Sequence, residues 1–393
     1  MHEPVRSSTA GAGPSDTSAM RASTTGAAPG RWWTAVSVLL PVLAAGYPSI
    51  LRPLAQPQRV VASLPLEHPL RLLLAAAPWL LVFGGPLLAM AVLLRADQRV
   101  PEAAQRRRLL RAATLALLAP VLMLFGPLGA IARNVPGGFA AFWPAFVLAV
   151  LLAPARRASR PGTNVRPPFE SSPRRAAGER ARRLVHRVGA ALLAGYGLAH
   201  VSSHLAAVWS LAASERIQFV LRQVYWTRAV ELPLLLAIAT QTASGLWMAW
   251  RRSGRPQTGL ERLHVVSGLY LALFLYVHAG AVMGFRARGH GLTFFRATYE
   301  ATGVPPSAFL AYYSIGVLAF LTHLAGVLRL AITRRRGRAA GERAGRLALR
   351  AAASITALIT AAVAGLHARD DRWDRRAPPD PAPPPPWRSS ATP

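Results

Sequence analysis

The chain has no cysteine and no lysine, and it is poor in acids. Among 393 residues, 46 are basic, all of them Arg, against 16 Asp and Glu, for a net charge of +30. Without cysteine there is no disulfide, no thiolate metal site, no iron–sulfur ligand, no cysteine nucleophile and no covalently attached haem. Only 16% of the residues are charged and 52% are hydrophobic. That composition excludes disorder over most of the length and argues against a water-soluble domain. A charge of +30 could point to nucleic acid. Here the Arg lie between long apolar blocks, as cytoplasmic loops of a membrane protein do, so nucleic acid is not an expected partner.

The apolar blocks predict an all-α polytopic membrane protein of about nine spans, roughly 33–51, 70–94, 109–132, 138–154, 186–211, 230–250, 264–285, 307–331 and 349–367. A crossing helix needs about 20 apolar residues. The first and fourth are the weakest; the first carries Pro41 and Pro48, the fourth Pro144. With the N-terminus inside, the inside segments hold 27 Arg and the outside segments 14. That bias predicts a bacterial-type inner membrane location, with the N-terminus inside and the C-terminus outside.

Five regions follow. Residues 1–31 read as a flexible cytoplasmic tail and 32–154 as a four-helix region of structural or partner-binding role. Residues 155–182 read as an Arg- and Pro-rich cytoplasmic linker and 183–367 as a five-helix domain. Residues 368–393 read as a Pro-rich external tail, whose run from Ala377 to Pro386 favours extended polyproline backbone.

Within the spans the only acid is Glu231, at the lip of the sixth. The four N-terminal spans contain no His; eight of the ten His fall in the C-terminal part, as His186, His200, His204, His264, His278, His290, His323 and His367. An ionisable side chain inside a span is costly and is a functional candidate by default. The ordinary alternative for any single one is a neutral His bonded to a helix carbonyl. Spacing argues further. His186 and His200 are 14 apart on one span, and His264 and His278 are 14 apart on another that runs the same way. Fourteen residues leave two side chains about 40° apart on one face and about 21 Å apart along the axis. His200 and His278 therefore reach similar depths, where two neutral imidazoles can supply both axial ligands of a haem b.

With these residues in view, 183–367 resembles the cytochrome b membrane-anchor subunit of succinate dehydrogenase and fumarate reductase, in its fused five-helix form. The first helix of that family carries a basic residue, a His, a Gly and a second His eleven residues on. Arg183, His186, Gly189 and His200 follow it. The third carries Val, Ser or Thr, Gly, then a His ten residues on; Val266, Ser267, Gly268 and His278 match. The fourth carries a Gly, a His seven later and another Gly; Gly316, His323 and Gly326 match. The second departs: Leu232, Pro233 and Gly245 are present, but Gln241 stands where two-haem members have a His.

The resemblance implies His200 and His278 as haem b ligands and His323 as a ligand for a second haem that lacks its partner. His264 or His186 is the substitute to consider. It makes His186 and Arg187 candidates for contact with a quinone or a haem propionate, and Glu231 a candidate on a proton path. It also implies partners: membrane lipid, quinone, and a soluble flavoprotein with an iron–sulfur subunit on the cytoplasmic face. The chain itself would pass electrons and carry no dicarboxylate chemistry. Two other readings stand beside it. One is a dihaem b cytochrome that pairs His186 with His264 and His200 with His278. The other is a transporter or scaffold in which the His are structural.

Overall fold

The computed structural model describes residues 31–51, 69–100, 102–124, 147–149, 151–152, 173–252, 257–287 and 306–367. The expected tails 1–31 and 368–393 lie outside these, apart from Arg31, and so does most of the fourth span. The described residues are helical, with short turns between some of the helices and no strand among them. In chain order the helices are α1 (Arg31–Leu51), α2 (Pro69–Arg99), α3 (Ala103–Leu124), α4 (Pro173–Ala206), α5 (Leu211–Tyr225), α6 (Arg228–Arg252), α7 (Gly259–Ala287), α8 (Pro306–Arg336) and α9 (Arg338–His367).

Five of them are long and apolar enough to cross a membrane: α4, α6, α7, α8 and α9. Their apolar stretches overlap the last five expected spans. Shorter apolar helices, Trp32–Tyr47 and Val82–Ala96, lie in the N-terminal part. Large apolar side chains stand on the outside, including Leu184, Leu236, Trp247 and Tyr276. A water-soluble protein would have to cover such a surface, whereas lipid accepts it.

Local chemistry explains where several helices start and stop. Sequence reading places residues 155–182 in a linker, yet α4 already begins at Pro173. Proline suits a first helical position, because its missing N–H would have no helical partner anyway. The Arg, Ala and Glu that follow favour helix. The segment 212–229, expected as a loop, is mostly α5. Ser210 caps it, its hydroxyl accepting from the Ala213 N–H. At the start of α7, the Thr258 Oγ1 accepts from the Glu261 N–H at 3.3 Å and the Glu261 Oε2 accepts from the Thr258 N–H at 3.0 Å. This reciprocal pair satisfies two donors that a helix start otherwise leaves open. Between α8 and α9 stands only Gly337, with φ +84°. A side chain at that backbone angle is strained, so glycine permits the abrupt reversal.

Packing divides into two groups of helices. In the first, Val36, Leu40, Ala44 and Tyr47 of α1 form a buried stripe. Opposite it α3 buries Ala112, Ala113, Ala116 and Ala119. Small residues let helix backbones come close where no hydrophobic force drives them together in lipid. In the second group α4 packs on α6, α6 on α7, α7 on α8, α8 on α9, and α9 returns to α4. The groups meet where α2 and α3 lie on α7. There a Cβ on Gly259 would collide with the Leu94 carbonyl oxygen, so no larger residue fits that contact.

Candidate functional site

The C-terminal helices hold histidines in three groups. In the first, Tyr196, His200 and His204 recur at four-residue spacing on α4, which puts them on one face. Phe274 and His278 do the same on α7. The His200 and His278 ring centres are 6.1 Å apart, with planes at 59°. Each ring is backed by an aromatic one turn earlier. Tyr196 stacks on His200 at 5.8 Å and Phe274 on His278 at 5.4 Å.

His204 is the member that sequence reading left without a role. It is buried to 2% exposure. Its Nε2 lies 3.4 Å from the His200 Nε2, and its ring meets the Tyr313 ring edge-on at 5.2 Å. One nitrogen of that pair donates and the other accepts, so the two imidazoles carry opposite tautomers. The four-residue step from His200 to His204 was the signal available in the sequence. Among the described residues no set of three or more His, Asp or Glu is arranged to hold a metal ion.

The second group joins α7 to α8. The His264 and His323 rings stack at 4.2 Å, 14° from parallel. The Nδ1 of His264 donates to the His323 carbonyl at 3.2 Å, and the Nδ1 of His323 donates to the His264 carbonyl at 3.1 Å. A carbonyl only accepts, so both Nδ1 atoms carry a hydrogen. Glycines make the room. A Cβ on Gly326 would collide with the His264 ring, and one on Gly268 would stand 3.0 Å from His323. Each helix thus sets a His against the glycine of the other. His323 is brought to His264 and not to His200.

The third group joins α4 to α6. The His186 Nδ1 is 2.7 Å from the Ser244 Oγ, and the His186 Nε2 is 3.2 Å from the Gln241 Nε2. The Ser244 hydroxyl donates to the Thr240 carbonyl at 2.6 Å, so its oxygen accepts from the His186 Nδ1–H. His186 Nε2 then accepts from the Gln241 amide. The Gln241 Oε1 is buried with no hydrogen-bond partner among the described residues. Arg187, next to His186 in sequence, is exposed.

Three ion pairs were not foreseen from composition. Glu231, at the start of α6, accepts from Arg286, at the end of α7, at 2.8 Å. Arg286 also lies over the Trp226 ring at 5.2 Å. Arg329 of α8 is 4% exposed and donates to Glu342 of α9 at 2.6 Å. It also reaches Glu261 of α7 at 3.5 Å. One buried cation therefore joins three helices. Beside it, a small gap is lined by His264, Thr322, Gly326, Arg329 and Gly345, among others.

His290 lies outside the described residues, and the side chain of His367 is likewise not described. Compared with known proteins, the chain matches no family model, no curated protein and no solved structure.

Proposed function

We propose that the chain is a membrane-anchor cytochrome b. In this reading it passes electrons between a soluble flavoprotein and iron–sulfur module, of the succinate dehydrogenase or fumarate reductase kind, and a membrane quinone. The observation that carries the reading is the 6.1 Å separation of the His200 and His278 rings. Two imidazoles on opposite sides of one iron need their nitrogens roughly 4 Å apart, hence ring centres about 6 Å apart. The donor pair suits haem b, which needs no cysteine and takes two neutral imidazoles, with His200 Nε2 exchanging its 3.4 Å contact to His204 for the iron.

When bound, the haem supplies a one-electron carrier within the bilayer. The chain's own residues do the rest. His200 and His278 would hold the iron. Tyr196 and Phe274 fix the planes of those rings by stacking. The apolar helices keep water away and let the group change charge in a low-dielectric setting.

The other histidines favour one haem over two. His264 and His323 stack at 4.2 Å, about 2 Å too close for opposite ligands of one iron. His186 is engaged by Gln241 and Ser244. The pairing of His186 with His264 that a dihaem cytochrome would use therefore has no support in the contacts. The exposed Arg187 remains the residue offered to a quinone, since both ring nitrogens of His186 are already bonded. Glu231, tied to Arg286, has less support as a proton carrier.

The test is haem per chain, with the reduced-minus-oxidised spectrum, in the purified protein and in His200→Ala, His278→Ala and His323→Ala. One haem is expected, lost in the first two variants and kept in the third. A wild-type chain without haem sinks the reading in favour of a transporter or scaffold. Two haems in the wild type would favour the dihaem alternative. Co-purification with a flavoprotein and an iron–sulfur protein, together with succinate-dependent quinone reduction, tests the partners.

A further inference from the structure

The helix α5 is not part of the five-helix apolar set, yet it reaches the first histidine group. Tyr225, its last residue, packs on Tyr196 with ring centres 4.4 Å apart, and Tyr196 stacks on His200. The turn that carries Tyr225 is held at several points. The Trp226 N–H donates to the Arg222 and Val224 carbonyls, and the Thr227 hydroxyl donates to the Val224 carbonyl at 2.7 Å. Arg286 covers the Trp226 ring.

Against this fixed frame, one atom is out of place. The Tyr225 hydroxyl is buried and has no hydrogen-bond partner among the described residues. A buried hydroxyl left unmatched costs about 1–3 kcal/mol, so it calls for an acceptor. Burial pushes this phenol above its ordinary value, which keeps it neutral and able to donate. The nearby cation Arg286 already serves Glu231. Tyr225 also ends the segment that joins two helices long and apolar enough to cross a membrane, α4 and α6.

We propose that the Tyr225 hydroxyl, carried by α5, donates the hydrogen bond that holds a carboxylate of the group bound between His200 and His278. This rests on the haem reading, and it accounts for a short helix laid over the site, where it fastens the acidic edge of a tetrapyrrole. Tyr225 is then a ligand-binding residue outside the iron pair. A carboxylate that loses its donor carries more effective negative charge, which favours the oxidised iron.

The experiment compares the full-length wild type with Tyr225→Phe and with Phe219→Leu, which alters an exposed side chain on the same helix. Haem content, midpoint potential and the rate of haem transfer to an apoprotein acceptor are measured. In Tyr225→Phe the haem is expected to stay at the wild-type level, its potential to fall and its release to quicken several-fold. Phe219→Leu is expected to match the wild type in all three. Haem bound with unchanged potential and release in Tyr225→Phe overturns this proposal alone. Equal shifts in both variants also overturn it, since they would reflect a disturbed helix. A wild type that binds no haem overturns this proposal and the haem reading together.

Discussion

The glycines of the histidine-bearing helices differ sharply in what surrounds them. Gly326 faces His264 and Gly268 faces His323, with no room for a methyl group at Gly326. Gly195, on α4, has nothing within 4 Å of where a Cβ would stand. Gly326→Ala is therefore expected to destabilise by about 1–3 kcal/mol, the usual range for overpacking. Gly195→Ala should be neutral or stabilising by about 0.5–1 kcal/mol, because alanine loses less freedom in a helix. Unfolding in detergent, followed by loss of helical signal, separates the two. Arg329 makes a second residue-scale case. Arg329→Met leaves Glu342 partly buried without its cation, at a cost on the order of 3 kcal/mol. Adding Glu342→Gln should recover part of that loss; no recovery in the double variant would show that the pair is not what Arg329 supports.

Helix ends show what an element needs beyond apolar length. The box formed by Thr258 and Glu261 starts α7 one residue before the Gly259 contact with α2, and Glu261 also reaches toward Arg329. The capping carboxylate thus serves both its own helix and α8. Thr258→Ala is expected to lower stability by about 1 kcal/mol, the common cost of losing a cap. An unchanged unfolding midpoint would show that the start of α7 is held by packing on α2 alone. At the other end of the same helix, Arg286 ties α7 to α6 through Glu231. The long helices are therefore fixed at their ends by charge and along their length by small residues and histidines.

For the whole molecule, the Arg distribution and the span count make a joint statement. Nine crossings with an inside N-terminus would put Pro393 outside, the arrangement that the two-to-one Arg bias favours. Five crossing helices are described, all in the C-terminal part. A reporter active only in an oxidising external compartment, fused after Pro393, is expected to be active. Activity of a cytoplasm-only reporter at that point would require an even number of crossings, and the span between 138 and 154 would be the first to be given up. The two helix groups pack together through Gly259 and Leu94, so the N-terminal helices cover one face of α7. In an anchor built of five helices alone, lipid or a partner would meet that face.

Much of this was legible in the chain. Apolar runs of about 20 residues separated by Arg determine helices and their places, because backbone in lipid has no other way to satisfy its N–H and C=O groups. Fourteen-residue spacing determined that His200 and His278 share a depth. The resemblance to cytochrome b anchors singled out Gly189, Gly268, Gly316 and Gly326, the glycines now found against Gln241, His323, Phe274 and His264. Helix periodicity does not say which neighbour a side chain meets. Only tertiary packing set His323 against His264, bound His186 to Gln241 and Ser244, and brought His204 and Tyr225 to the His200 group. In the sequence Arg329 is an arginine near the end of the eighth expected span, 307–331. It became a buried junction because Glu342 and Glu261, 13 and 68 residues away, converge on it. Local sequence determines which side chains a helix presents and at what height; the rotation of each helix against its neighbours decides which of them meet.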